Sequence, residues 1–386
     1  MQAQTLNAHG TAAVNAATAV GPASGPKSHR RNTAIDVLRG YCIVMMVTSH
    51  VATASYVNGA VHGLRFVSGA EGFVFLSGLV LGLVYRRRMD AAPALDAYRA
   101  IWRRARTIWL VHVIAVLSAI VLNTAFFHYS DIPKLGSLPF GTLLWRTAIL
   151  QLQPGHMLNI LPMYVFLLGL APGVLEMMRR GRTAWLLLAS GLVFLNCQYH
   201  PGAGRWADAV SGGEAFPVLA WQVLFIPGMA IGYNYSTLRD RVVSPHRGRL
   251  MWGLACATAA IALVVCVQTT SFQFYDHAAW DLFLWERHPL RFGRVLYFLL
   301  SVGAAYFVVQ AWLRSRRLPQ APLAVLETLG RNSLYAFIVH LMLALCLGAV
   351  VVPPDRWLLS ELMAVGAVGM VYVLSRYQVG RKWIPN

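Results

Sequence analysis

The chain has 386 residues, of which 57% are apolar and only 12% charged, about half the charged share of a soluble globular domain. The buried fraction of a fold rises only slowly with size, so no water-soluble protein of this length hides that much apolar surface. A net charge of +18 would point to nucleic acid in a soluble protein, but in a membrane protein basic residues must be read by position.

Residues 1–32 are rich in Ala, Asn, Thr and Gly and carry no apolar period; they read as a disordered cytoplasmic tail. The cluster Lys27, Arg30 and Arg31 follows this stretch instead of leading it, which is not the order of a secretory signal. From there the chain reads as an all-α polytopic membrane protein with about ten transmembrane helices, forming one membrane domain over residues 33–380. The expected spans are 34–54, 66–85, 107–127, 158–178, 184–199, 216–233, 251–268, 292–313, 333–352 and 357–376, each near the length that crosses a bilayer. Residues 140–152 are apolar but short and contain Arg146, as in a re-entrant or interfacial helix. The five cysteines, Cys42, Cys197, Cys256, Cys266 and Cys346, all fall in or at the ends of apolar runs. They read as small core residues, with no metal ligand set and no disulfide framework.

With the N-terminus inside, 24 of the 33 basic residues fall on the inner side, eight on the outer side, and Arg39 lies within the first span. The bias recurs at every loop and places both termini in the cytoplasm. It also accounts for most of the charge excess without a nucleic-acid partner. The outer loops hold Asp131, Asp208, Glu214, Asp276, Asp281, Glu286 and Asp355 among aromatic residues such as Trp206, Tyr275, Trp280, Phe283 and Trp285. An interfacial aromatic belt explains that mixture; a surface for stacking sugars is the sharper alternative.

Ionisable side chains inside spans are costly and usually functional. The first span carries Asp36, Arg39 and His50. Asp36 and Arg39 are three residues apart and can pair. Arg39 and His50 are eleven apart, close to three helical turns, so they share a face about 16 Å apart along the axis. Glu71 enters the second span at a depth like that of His50, where a carboxylate can orient a histidine and raise its basicity. Gly69, Gly72, Gly78 and Gly82 in the same span allow close helix approach. His112, His340 and Glu361 are weaker cases, since a lone buried histidine is more often a structural hydrogen-bonder. A second cluster at 151–164 includes His156, Asn159 and Tyr164 between two prolines, as in broken helices that line cavities; a capped helix start with Pro162 in its first turn is the plainer account.

The interval Arg39-x10-His50, followed by Phe-Val-Phe-Leu-Ser-Gly at 73–78, resembles the signature of the membrane acyltransferase-3 superfamily. The segments 36–40, 70–85, Ile160-Leu-Pro-Met-Tyr164 and Leu329-Gly-Arg-Asn-Ser-Leu-Tyr335 are similar to its OpgC branch, which contains the succinyltransferases of osmoregulated periplasmic glucans. The resemblance spans roughly 33–376 and implies a multi-pass protein of the bacterial inner membrane. It further implies an O-acyltransferase with no bound cofactor, whose donor substrate is cytoplasmic acyl-CoA (succinyl-CoA in that branch) and whose acceptor is a periplasmic glucan. His50 would act as general base or as transient acyl carrier, oriented by Glu71. Asp36 and Arg39 would brace the inner half of a path for the donor arm. His156, Asn159 and Tyr164 would supply oxyanion donors, and Arg103 and Arg104 in the basic stretch 86–106 would meet the CoA phosphates, although positive-inside bias explains most of that stretch.

Two rival classes remain at this point: a transporter or exporter of a glycan or small anion, for which two-fold internal repeats would speak, and a non-catalytic scaffold, against which the buried ionisable face argues. No internal repeat is visible. The topology is open to cysteine labelling: sites beside Arg103, Arg180, Arg247 and Arg317 are expected to react only from the cytoplasm, and sites beside Asp131, Asp208 and Asp281 only from outside. External labelling of the 86–106 stretch would overturn the arrangement.

Overall fold

The computed structural model describes residues 32–64, 66–126, 132–153, 158–203, 206, 216–269, 284–287, 290–347 and 356–380. Every regular element among them is helical. In chain order they are α1 (Thr33–Val51), α2 (Tyr56–Val61), α3 (Gly69–Ala91), α4 (Ala94–Ala125), α5 (Phe140–Ala148), α6 (Ile160–Arg179), α7 (Thr183–Tyr199) and α8 (Val218–Tyr233). A short turn of helix and a π-helical segment, Arg239–Val243, lead into α9 (Ser244–Thr269). Then come α10 (Phe292–Arg314), α11 (Ala321–Arg331), α12 (Ser333–Leu347) and α13 (Trp357–Tyr377).

Each of the ten expected spans carries helix, but length and composition single out fewer. Among the described residues six helices are long and apolar enough to cross a membrane: α1, α3, α4, α6, α10 and α13. The pair α11–α12 passes the same test together, bent by 90° at its break, and would make a seventh; α7 and α8 are apolar but shorter. Two expectations change in kind. The basic stretch 86–106 is not a loop, because α3 runs to Ala91 and α4 starts at Ala94, so its arginines sit on two helix ends. And residues 321–331, expected to connect spans, form a helix of their own. Of the cysteines, Cys42 and Cys197 are buried as expected, whereas Cys256 and Cys346 are exposed.

Small residues set the closest helix approaches. Gly78 and Gly82 of α3 face Gly228 and Gly232 of α8, and a Cβ on any of the four would overlap backbone of the opposite helix: Phe225 and Met229 in one direction, Phe75 and Leu79 in the other. Two small-xxx-small motifs thus interlock, the arrangement that lets helix backbones touch where lipid offers no hydrophobic drive for association. A second contact of this type joins α1 to α11. A Cβ on Gly40 would overlap the Leu326 carbonyl, and one on Gly330 the Asp36 carbonyl.

The bend between α11 and α12 falls at Asn332, inside the 329–335 segment that carried part of the family resemblance. Asn332 donates to the carbonyl oxygens of Thr328 on α11 and Ser375 on α13, which satisfies acceptors freed where the helix ends. Tyr335 donates to the Val379 carbonyl, 2.5 Å away. Gly330, Asn332, Ser333 and Tyr335 therefore all have work at the turn, and α12 is held against α1 and α13.

Overpacking a close contact costs about 1–3 kcal/mol. Gly232→Ala is accordingly expected to lower the unfolding midpoint in detergent, whereas Gly173→Ala, where a Cβ meets nothing within 4 Å, leaves it unchanged. Equal midpoints would show that α3 and α8 are not locked by their backbones.

Candidate active site

The polar residues of α1 and α3 find their partners on other helices, most of them in the C-terminal third of the chain. Arg39 and His50 share the face of α1 that meets α12. Arg39 is buried, lies 4.0 Å from the Asp36 carboxylate and donates through Nη2 to the Ser333 hydroxyl. His50 Nδ1 lies 3.2 Å from Nε2 of His340, and the two imidazoles meet edge to edge, with centroids 5.3 Å apart and planes 14° from parallel. Ser333 beside Arg39 and His340 beside His50 make α12 run parallel to α1. The His340 ring in turn has its Nδ1 2.7 Å from the Phe337 carbonyl.

Glu71 is wholly buried at the start of α3. Its Oε1 accepts from Arg294 Nε at 2.5 Å. Its Oε2 accepts from the Ser68 amide at 3.0 Å and from the Ser68 hydroxyl, closing a capping box at the helix start. The expectation that Glu71 orients His50 is therefore corrected. The carboxylate is held by Arg294 and Ser68, and the histidine has His340 as its ring partner. Arg294 also reaches the Trp285 carbonyl at 3.3 Å, and Trp285 stacks on Phe66 just ahead of α3 at 5.1 Å. The ion pair thus fixes both the first turn of α3 and the segment entering α10. The positive φ of Phe66 (66°), uncommon outside glycine, sits under that stack.

A cavity of about 60 Å³ lies where these elements converge, walled by Met46, Ser49, His50, Ser68, Asn159 and Arg287 among others. It has room for a few small-molecule atoms or waters and is lined by hydroxyl, amide, imidazole and guanidinium groups. Arg287 packs its guanidinium over the Phe216 ring at 5.2 Å, and both border the cavity. Ser49 Oγ lies 2.9 Å from His62 Nε2. Two further cavities lie toward the other end of α1. One of about 90 Å³ shares Ser68 with the first; an apolar chamber of about 520 Å³ shares Leu38, Leu76 and Val302 with the second. Ile35 and Leu38 of α1 wall the chamber, which extends to Tyr235, Arg239 and Tyr306.

The remaining expected residues are placed as follows. Asn159 is buried and on the cavity wall. His156 lies outside the described residues. Tyr164 is buried among rings, tilted on Phe73 at 5.9 Å and edge-on to Phe225 at 6.4 Å, and does not line the cavity. Asp36 and Arg39 face the α11–α12 bend and wall none of the three cavities. Arg103 is exposed and Arg104 half-buried in the first half of α4, away from the His50 cavity. Glu361 accepts from the amides of Tyr56 and Val57, a helix-start role on α2, and His112 is buried on α4. Sequence reasoning missed Arg294, His340 as a partner, Ser68 and Arg287. Arg294 carried a usable signal: it is the only charge between Phe292 and Arg314, as Glu71 is between Phe66 and Tyr85, and two lone opposite charges in apolar runs invite pairing.

A family model described as OpgC protein matches residues 31–383. The chain belongs to the OpgC family. No curated protein and no solved structure matches it. Membership covers nearly the whole chain and, with the apolar helices, makes this a membrane protein of the OpgC family with an acyltransferase-like activity.

Removing one member of a buried ion pair strands the other, at a cost of about 3–5 kcal/mol. Glu71→Gln and Arg294→Met are each expected to depress stability in detergent by that order, and the Glu71→Met/Arg294→Met double variant to recover most of it. Additive losses in the double variant would show that the two side chains do not act as a pair.

Proposed function

We propose that this OpgC-family protein is an integral membrane O-acyltransferase of the bacterial inner membrane. In this reading it moves an acyl group, succinyl as the family resemblance implies, from cytoplasmic acyl-CoA to hydroxyls of a periplasmic glucan. The observation that carries the reading is His50 on the wall of a cavity between the helices, with hydroxyl, amide and guanidinium donors around it. A scaffold has no use for such a set at that depth, and no repeat supports a transporter.

The chemistry follows from the groups. A thioester carbonyl in the cavity is attacked by a sugar hydroxyl as His50 takes the hydroxyl proton. The new C–O bond forms, the oxyanion is met by the Asn159 amide or Ser68 hydroxyl, and the C–S bond then breaks. The CoA thiolate leaves with the proton that His50 held. His50 is thus assigned the base role. Glu71 and Arg294 hold the first turn of α3, and with it Ser68, at the cavity wall.

On the donor side, the three cavities lie in succession, each sharing wall residues with the next, from the end of the bundle carrying Arg239 toward His50. The acyl-pantetheine arm follows that route in this proposal. Asp36 and Arg39 then brace the neighbouring face, and Arg103 and Arg104 stand as outlying cations for CoA phosphates. Tyr164 packs beneath the site among Phe73 and Phe225, and His156 keeps the substrate-binding role that the resemblance implies.

Loss of a general base typically costs about 10²–10⁴-fold. His50→Ala is expected to abolish glycan acylation while the protein still inserts and purifies as a folded bundle. Glycans from cells whose only copy is the variant are scored by negative charge and mass. Normally acylated glycans would remove His50 from the mechanism.

A further inference from the structure

The histidine pair fixes more than a contact. His340 is 1% exposed, and its Nδ1 stands 2.7 Å from the carbonyl oxygen of Phe337. A carbonyl oxygen only accepts, so this nitrogen carries the proton. An imidazole bearing one proton then presents a lone pair at its other nitrogen, Nε2. That atom is 3.2 Å from His50 Nδ1, and a lone pair is answered only by a donor. The proton of His50 is therefore on Nδ1 and its lone pair on Nε2, the nitrogen remote from His340.

We infer that His340 is a positioning residue that holds His50 in the Nδ1–H tautomer, so that Nε2 is the nitrogen that exchanges the acceptor proton. Its chemical consequence rests on the acyl-transfer reading; the tautomer itself does not. When His50 Nε2 takes the hydroxyl proton, Nδ1–H keeps donating to His340, which supports the imidazolium through a hydrogen bond without adding a second ion at that depth. Return of the Nε2 proton to the departing thiolate restores the starting tautomer, so the cycle consumes no proton and moves none through His340.

The surroundings suit a fixed ring. His340 is flanked by Phe337 at 5.1 Å, Phe337 stacks on Phe73 at 4.8 Å, and Phe73 meets Tyr164. A train of rings from α6 through α3 to α12 thus backs the histidine pair. The carboxylate that otherwise orients a catalytic histidine is present nearby as Glu71, but it is held by Arg294.

The test uses full-length protein with ¹⁵N-labelled histidine in nanodiscs, with His50→Gln to assign the His50 signals. The expected spectrum shows His50 protonated at Nδ1 and unprotonated at Nε2. In His340→Phe the Nε2–H form gains population. In His340→Gln, whose amide oxygen can accept where Nε2 did, the wild-type pattern is kept. Acylation is measured alongside. His340→Phe is expected to lose about 10²–10⁴-fold in kcat, the cost of freeing a catalytic histidine's tautomer, with KM for acyl-CoA little changed, while His340→Gln stays within about tenfold. An Nε2–H signal for His50 in the wild-type protein overturns the proposal whatever the activity. So does a folded His340→Phe with the wild-type tautomer. If His340→Phe does not fold, the wild-type and His340→Gln spectra decide. The stated tautomer in a protein that transfers no acyl group would uphold the tautomer and defeat the acyltransferase reading instead.

Discussion

A carboxylate with no exposure to solvent has to find its counter-charge inside the bundle, and Glu71 finds it in Arg294. Much of the site is arranged around that requirement. The pair pins the first turn of α3, which sets Ser68 on the cavity wall, and it draws the entry to α10 inward through the Trp285 carbonyl. In a low-dielectric interior such a pair gains little over apolar packing but is costly to break. Its value is in specifying which helix ends meet.

The same logic recurs along α1. Arg39 and His50 each turn a polar head into the helix bundle, and each is answered from α12, by Ser333 and His340. The partners stand 223, 294 and 290 residues away in the chain. The N-terminal helices thus carry the residues that define the site, and the C-terminal third carries what holds them.

This division explains what was legible in the sequence. Helical spacing alone put Arg39 and His50 on one face, and the small residues of α3 announced a close neighbour. Glu71 follows Ser68, Gly69 and Ala70, which border the cavity with His50. What local spacing cannot supply is the identity of a partner hundreds of residues on. Arg294 sits inside the apolar run 292–313 but only three residues from Arg291, so local composition alone groups it with the outer-side charges. Residues 321–331 were passed over because Glu327 and Arg331 make them look like a connector; the helix there is held by Gly40 and Gly330 meeting across backbones, a tertiary contact that overrides local composition. The 90° break at Asn332 has the same origin.

The long chain separation of the buried pair has a consequence for how the protein is made. Synthesis proceeds at about 5–20 residues per second, so Glu71 is made roughly 10–45 s before Arg294. During that interval the carboxylate has only local company, the Ser68 hydroxyl and amide that cap its own helix start. The capping box is thus a holding arrangement as well as a finished contact. It satisfies one carboxylate oxygen from within three residues and leaves the other to be claimed when the later helices arrive. Assembly of the bundle is in this sense a late event, and a nascent chain released before α10 has every N-terminal motif and no site.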